Sequence, residues 1–187
     1  MMKKFGLALC AAAALSSAPR AQPPAGYAAD LGRSRLEFVG TQEGAPFKGT
    51  FHQFNAAVDF APETPANARI DVQIDMKSVD TMDQDRDGTI RGADVFDVAH
   101  FPTAHYVTRS VTRTAAGYSA VGALTLHGVT KDVPIAFKFT PTTGGATLEG
   151  SAKLKRLDFG VGQGDWKRTD QIADEVNVAF ALTLKPR

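Results

Sequence analysis

The chain has 187 residues, 43% of them hydrophobic, with 21 Lys and Arg against 20 Asp and Glu and one cysteine. That balance supplies no basic field for nucleic acid or an anionic lipid surface. A lone cysteine excludes an internal disulfide framework and a thiolate metal cluster, and the length suits one domain with its own core.

Lys3 and Lys4 precede an apolar run from Phe5 to Leu15 and then the small residues Ser16, Ser17 and Ala18, the pattern of an export signal. Residues 1–21 are assigned to it, with cleavage after Ala21, so a periplasmic protein is expected. Cys10 raises a lipoprotein reading, but Leu9 before it is bulky where a small residue is wanted. The run is shorter than the roughly 20 apolar residues that span a bilayer, and no later stretch approaches that length, so the mature protein is expected to be soluble and not transmembrane. Removing residues 1–21 takes Lys3, Lys4, Arg20 and Cys10, leaving 18 cations against 20 acids, a net charge of −2.

Residues 22–33 read as a Pro- and Ala-rich leader, and 34–187 as the folded domain. Ser34–Gly40 gives a short strand with Leu36 and Phe38 on one face. From Phe47 to Phe60 the apolar parity slips near His52 and Gln53, where a bulge would bend the strand. Ile70, Val72, Ile74 and Met76 alternate with polar residues as a strand does. Between Asp80 and Phe101 alternation stops, and a short helix or ordered excursion is predicted. Strands resume over Ala104–Thr112 and from Gly117, and Val121–Phe139 reads as a hairpin turning within Gly128–Asp132. In it Leu124 and Leu126 alternate with polar or small residues, as do Val133, Ile135, Phe137 and Phe139. After Gly144 and Gly145, Leu148, Ala152 and Leu154 share a face. Leu157, Phe159 and Val161 take the opposite parity, so the register breaks near Lys155 and Arg156. Val176, Val178, Phe180, Leu182 and Leu184 place five apolar residues on one face, which calls for a central strand or a closed sheet.

Seven to nine antiparallel strands with little helix leave a sandwich or an up-and-down barrel. Apolar faces of even width and twelve phenylalanines favour an all-β barrel with a partly empty, lipophilic interior. Periodicity alone leaves the sandwich open.

Four stretches, 49–60 (GTFHQFNAAVDF), 78–106 (SVDTMDQDRDGTIRGADVFDVAHFPTAHY), 122–133 (GALTLHGVTKDV) and 155–165 (KRLDFGVGQGD), resemble the YceI-like family of bacterial periplasmic polyisoprenoid-binding proteins. The resemblance runs from about Ser34 to Leu184. It implies a lipocalin-like antiparallel barrel of about eight strands with a short helical excursion, and a long internal tunnel for an isoprenoid chain of quinone or polyprenyl type. A single phenylalanine, Phe96, followed by Asp97, stands where the family often has two.

An isoprenoid tail contains only carbon and hydrogen, so apolar wall residues suffice to hold it, each withdrawn methylene contributing about 0.8 kcal/mol. The expected wall comprises Phe38, Phe51, Val58, Ile74 and Phe96, then Tyr106, Leu124, Leu126, Ile135 and Phe137, then Phe159, Val178 and Phe180. Arg86, Asp87, Arg91 and Trp166 are the expected residues at the mouth and head group. The function expected is a non-enzymatic carrier that needs no cofactor, with an isoprenoid lipid as ligand and no nucleic-acid partner. Transient membrane contact and a homodimer are compatible with it. The alternatives are an enzyme or stress-response factor acting on such a lipid, and a calcium-binding structural module.

The last rests on Asp83, Asp85 and Asp87 with Gly88 sixth and Asp94 twelfth, the spacing of a calcium loop. An alternating strand precedes it where a helix should stand, and Asp94 is too short for the usual bidentate Glu, so no metal is expected there. Gly160–Gly164 lacks the following helix of a phosphate loop. Gly117–Gly122 misses the nucleophile-elbow spacing around Ser119. His52, His100, His105 and His127 form no zinc motif and read as surface or loop-edge residues.

Overall fold

Alternation of inward apolar and outward polar side chains organises nearly the whole of the computed structural model, which describes residues 26–187. Its strands are β1 (Tyr27–Ala29), β2 (Arg35–Gln42), β3 (Ala45–Phe51), β4 (Phe54–Asp59), β5 (Arg69–Asp75) and β6 (Val79–Asp80). After helix α1 (Gln84–Arg91) come β7 (Thr103–Thr114), β8 (Gly117–Leu126), β9 (Val129–Thr142), β10 (Gly145–Lys155) and β11 (Glu175–Pro186).

All pairings are antiparallel. From β4 the order runs through β5, β7, β8, β9 and β10 to β11, and β1 pairs with both β11 and β4 to close the ring. β11 also pairs with β2, which pairs with β3, which pairs with β6. The strands β1 and β2, β3 and β4, and β5 and β6 are thus three ribbons, each broken once. The breaks are a 3-10 turn at Leu31–Arg33, the residues His52 and Gln53, and a 3-10 turn at Met76–Ser78. Counted with β7 to β11 they make a closed barrel of eight ribbons, as the sequence led us to expect; the sandwich is not formed.

Three local expectations are corrected. Tyr27–Ala29, within the stretch read as a leader, is β1, with Tyr27 buried against the barrel interior. Residues 1–25, including the signal assigned to 1–21, lie outside the described residues. The Val121–Phe139 hairpin turns at His127 and Gly128 alone, because Leu126 already pairs with Val129. Both turn residues have positive φ, 50° and 75°, the two-residue geometry whose twist matches the flanking strands, and glycine adopts it without strain. The register breaks after Lys155 as expected, at a 3-10 turn, Arg156–Phe159, ended by Gly160 in the left-handed region. The slip at His52 and Gln53 is a corner: the His52 and Asp75 amides donate to Ser78 and Gln53 carbonyls across it.

Candidate functional site

A cavity of about 490 Å³ runs down the barrel interior, within the range of sites for drug-sized ligands. Along β11 it is lined by Val176, Val178, Phe180 and Leu182 but not Leu184, and along β9 by Val133 and Ile135 but not Phe137. Six residue steps from Val176 to Leu182 give it a length of about 20 Å along the strand.

Of the expected wall, Phe38, Phe51, Ile74, Phe96, Tyr106, Leu124, Leu126, Ile135, Phe159, Val178 and Phe180 line this cavity. Val58 and Phe137 do not. Val58 is fully buried beneath it. Phe137 stacks on Tyr118 at 5.4 Å in a cluster where Phe60 meets Tyr118 at 4.8 Å and Phe139 at 4.6 Å, and Tyr27 meets Phe139 at 5.7 Å. This aromatic cluster fills the barrel beyond the cavity, whose lining includes neither Phe137 nor Leu184, so the cavity occupies part of the barrel's length.

At the other end a second aromatic chain rises toward the mouth. Phe96 lies 6.2 Å from Phe51, Phe51 lies 5.6 Å from Phe38, and Phe38 lies 6.2 Å from Phe47, ring centre to ring centre. Tyr106, on the cavity wall, donates its hydroxyl to the Val133 carbonyl at 3.3 Å, and burial pushes its phenol up to about 12, with the Asp132 charge adding to the effect. It is therefore a neutral wall residue at physiological pH.

Helix α1 lies across the mouth. Asp83 caps it, accepting from the Arg86 amide at 3.0 Å, and that bond holds the Asp83 carboxyl below its ordinary value. Arg86 lines the cavity; its guanidinium sits 4.9 Å above the Phe47 ring and 3.5 Å from the Asp83 carboxylate. Trp166, on the 3-10 turn Gly164–Lys167, lines the opposite rim.

Two expected mouth residues face elsewhere. The buried Asp87 accepts from the Thr81 amide and hydroxyl, both at 2.8 Å. Arg91 donates to the carbonyls of Lys77, at 3.0 Å, and Val79. Both tie α1 to the ribbon before it and lie outside the cavity lining. The same helix undoes the calcium-loop spacing, since coiling residues 84–91 points Asp83, Asp85, Asp87 and Asp94 apart. Among the described residues no group of three His, Cys, Asp or Glu converges on a point.

Sequence reasoning missed Phe47 and Arg156. Phe47 shares the odd parity of Gly49 and Phe51, which is the signal that places it on the wall. Arg156 is 7% exposed and lines the cavity, donating to the carbonyls of Ala173 at 3.1 Å, Val161 at 2.9 Å and Ile172 at 2.8 Å. Burial pulls its pKa down, only partly offset by Asp174. A lone arginine at a strand end before a glycine-rich loop carries no periodic signal. The histidines are peripheral: His52, His100 and His105 each pair with a single aspartate, Asp80, Asp97 and Asp71.

The barrel, its covering helix and the loop around Arg156 all fall within one sequence match, to the YceI-like domain over residues 27–184. The chain belongs to the YceI-like family. Curated relatives include UPF0312 proteins of Yersinia pestis, 36% identical over 119 residues, and of Yersinia enterocolitica, 35% identical over 119 residues. Those matches cover 60% of this chain and 62% of each relative. Among solved YceI-like barrels, Burkholderia cenocepacia BcnA superposes with a TM-score of 0.79 at 32% identity, covering 83% of this chain and 98% of that one. The Campylobacter jejuni YCEI protein gives 0.64 at 25% identity, with 75% and 85% covered. A domain from Saccharophagus degradans, described as polyisoprenoid-binding and implicated in plant cell wall breakdown, gives 0.66 at 19% identity, covering 88% and 100%. Among the described residues no helix is long and apolar enough to cross a membrane.

Proposed function

We propose that this YceI-like protein is a non-enzymatic periplasmic carrier that holds an isoprenoid lipid, of quinone or polyprenyl type, with its tail in the barrel and its head group at the mouth. The observation that carries the reading is the apolar cavity, walled by phenylalanine, leucine, isoleucine and valine, with α1 residues Arg86 and Ile90 in its lining. Each methylene moved there from water contributes about 0.8 kcal/mol, so a branched tail is held by many small, non-directional terms and needs no cofactor. The polyisoprenoid-binding Saccharophagus degradans domain, which shares the fold, supports the ligand class. Export rests on residues 1–21, whose pattern is that of a signal peptide.

Protein expressed with its own signal and purified from the periplasmic fraction is expected to carry a long isoprenoid lipid in near-stoichiometric amount, read by solvent extraction and mass spectrometry. Trace lipid only, with no binding of added quinone or polyprenol, overturns the proposal. Protein retained in the cytoplasmic fraction overturns the periplasmic part alone.

A further inference from the structure

A guanidinium carries five N–H donors in a rigid fork. Arg156 gives three to the Ala173, Val161 and Ile172 carbonyls, one each from Nε, Nη1 and Nη2, so one N–H on each terminal nitrogen has no acceptor among the described residues. The residue is nine-tenths buried and forms no ion pair among the described residues. The charge of nearby Asp174 favours the guanidinium, but its carboxylate makes no direct hydrogen bond to it and accepts instead from the Leu157 amide at 3.0 Å. An unpaired cation at the wall of an apolar cavity is costly unless something satisfies it. The other cation on the lining, Arg86, stands at the outer rim and is already held by Asp83 and Phe47.

We propose that Arg156 reads the head group: its two free N–H donors bind an oxygen acceptor of the ligand just inside the mouth, beside Trp166. This rests on the isoprenoid reading and narrows it, because a hydrocarbon alone leaves those donors unmet. The acceptor chemistry is shared by a ring carbonyl and by a phosphate. Asp85 lines the cavity and forms no ion pair among the described residues, so it places a negative charge at the rim and disfavours the phosphate.

The test compares three probes with the same four-isoprene tail: menaquinone-4, geranylgeranyl monophosphate and the headless hydrocarbon. Wild-type protein is expected to bind menaquinone-4 at least tenfold more tightly than the headless tail, and the phosphate less tightly than the quinone. In Arg156→Met the advantage of the quinone over the headless tail, measured on the same folded protein, is expected to fall to within about twofold. The guanidinium N–H resonances of Arg156 in the wild type, assigned by selective arginine labelling and through-space contacts to Val161 and Ile172, provide a readout independent of the variant's folding. They are expected to shift with menaquinone-4 and stay in place with the headless tail. Equal binding of headed and headless tails, or resonances that ignore the quinone, overturns the role of Arg156. Tighter binding of the phosphate than of the quinone overturns the charge argument. Failure of all three probes to bind overturns the isoprenoid reading itself.

Discussion

Phe38 on β2 pairs directly with Gly49 on β3, and the Phe38 ring fills the space a side chain at position 49 would take. A Cβ placed on Gly49 would sit 2.3 Å from the ring carbons. The glycine lets the ring lie against the wall, where it joins Phe47, Phe51 and Phe96 in the aromatic chain to the mouth. Gly49→Ala is expected to push Phe38 into the lumen, costing about 1–3 kcal/mol in urea unfolding and weakening retention of any apolar probe. Unchanged retention in a folded variant would show that the ring finds room elsewhere.

The aromatic cluster and the cavity wall are expected to respond differently to enlargement. Phe137→Trp overpacks the cluster with Tyr118 and Phe60 and is expected to cost about 1–3 kcal/mol of stability, with ligand affinity per folded molecule unchanged. Phe180→Trp projects into the cavity and is expected to weaken lipid retention more than it weakens the fold. Denaturant titration beside a ligand-displacement assay separates the two, and matching profiles for both variants would contradict the placement of Phe137 outside the cavity.

Helix α1 should be indifferent to calcium. Asp83 is occupied as its cap and Asp87 by Thr81, and among the described residues they belong to no group of three carboxylate, histidine or cysteine side chains. Thermal midpoints with a chelator and with millimolar calcium are expected to coincide; a calcium-dependent rise of several degrees would contradict the assignment.

Asp71 accepts from His105 and Arg69, both at 2.7 Å, and His105 first, then Arg69, holds its carboxyl below the ordinary value. A depressed folded-state value means that Asp71 stabilises the fold above the unfolded value, near 3.9, and that this contribution is lost as pH falls through the folded value. The pair is partly exposed, so the effect is small. Asp71→Asn is expected to lower the thermal midpoint by about 1–3 °C at pH 6, with the gap closing below about pH 4. A gap that widens in acid would show that another group carries the effect.

Alternation made the barrel legible, because a period of two states which face a residue occupies. It says nothing about height along the axis. Val58 and Phe137 share the inward face with Val178 and Ile135, yet lie below the cavity, and only the closure of β1 onto β4 and β11 places them there. The resemblance groups Asp87 and Arg91 with Arg86 in one segment and does not say which way each faces; the helix turns them onto Thr81 and the Val79 carbonyl. Arg156 was invisible for a different reason: its role depends on carbonyls from Val161, Ile172 and Ala173, brought together by a loop with no period to read.

The ring is sealed by the two ends of the described chain, Tyr27 against Pro186 and Ala29 against Leu184. The hairpins β7–β8, β8–β9 and β9–β10 join neighbours in sequence and can zip locally, but the seam joins residues more than 150 positions apart and bears the full loop-closure entropy. Until Glu175–Pro186 docks, β1, β2 and β10 each lack a neighbour and the future lumen is an open apolar sheet. Such a chain is exposed to edge-to-edge association, and it gains a binding chamber only when its last strand arrives.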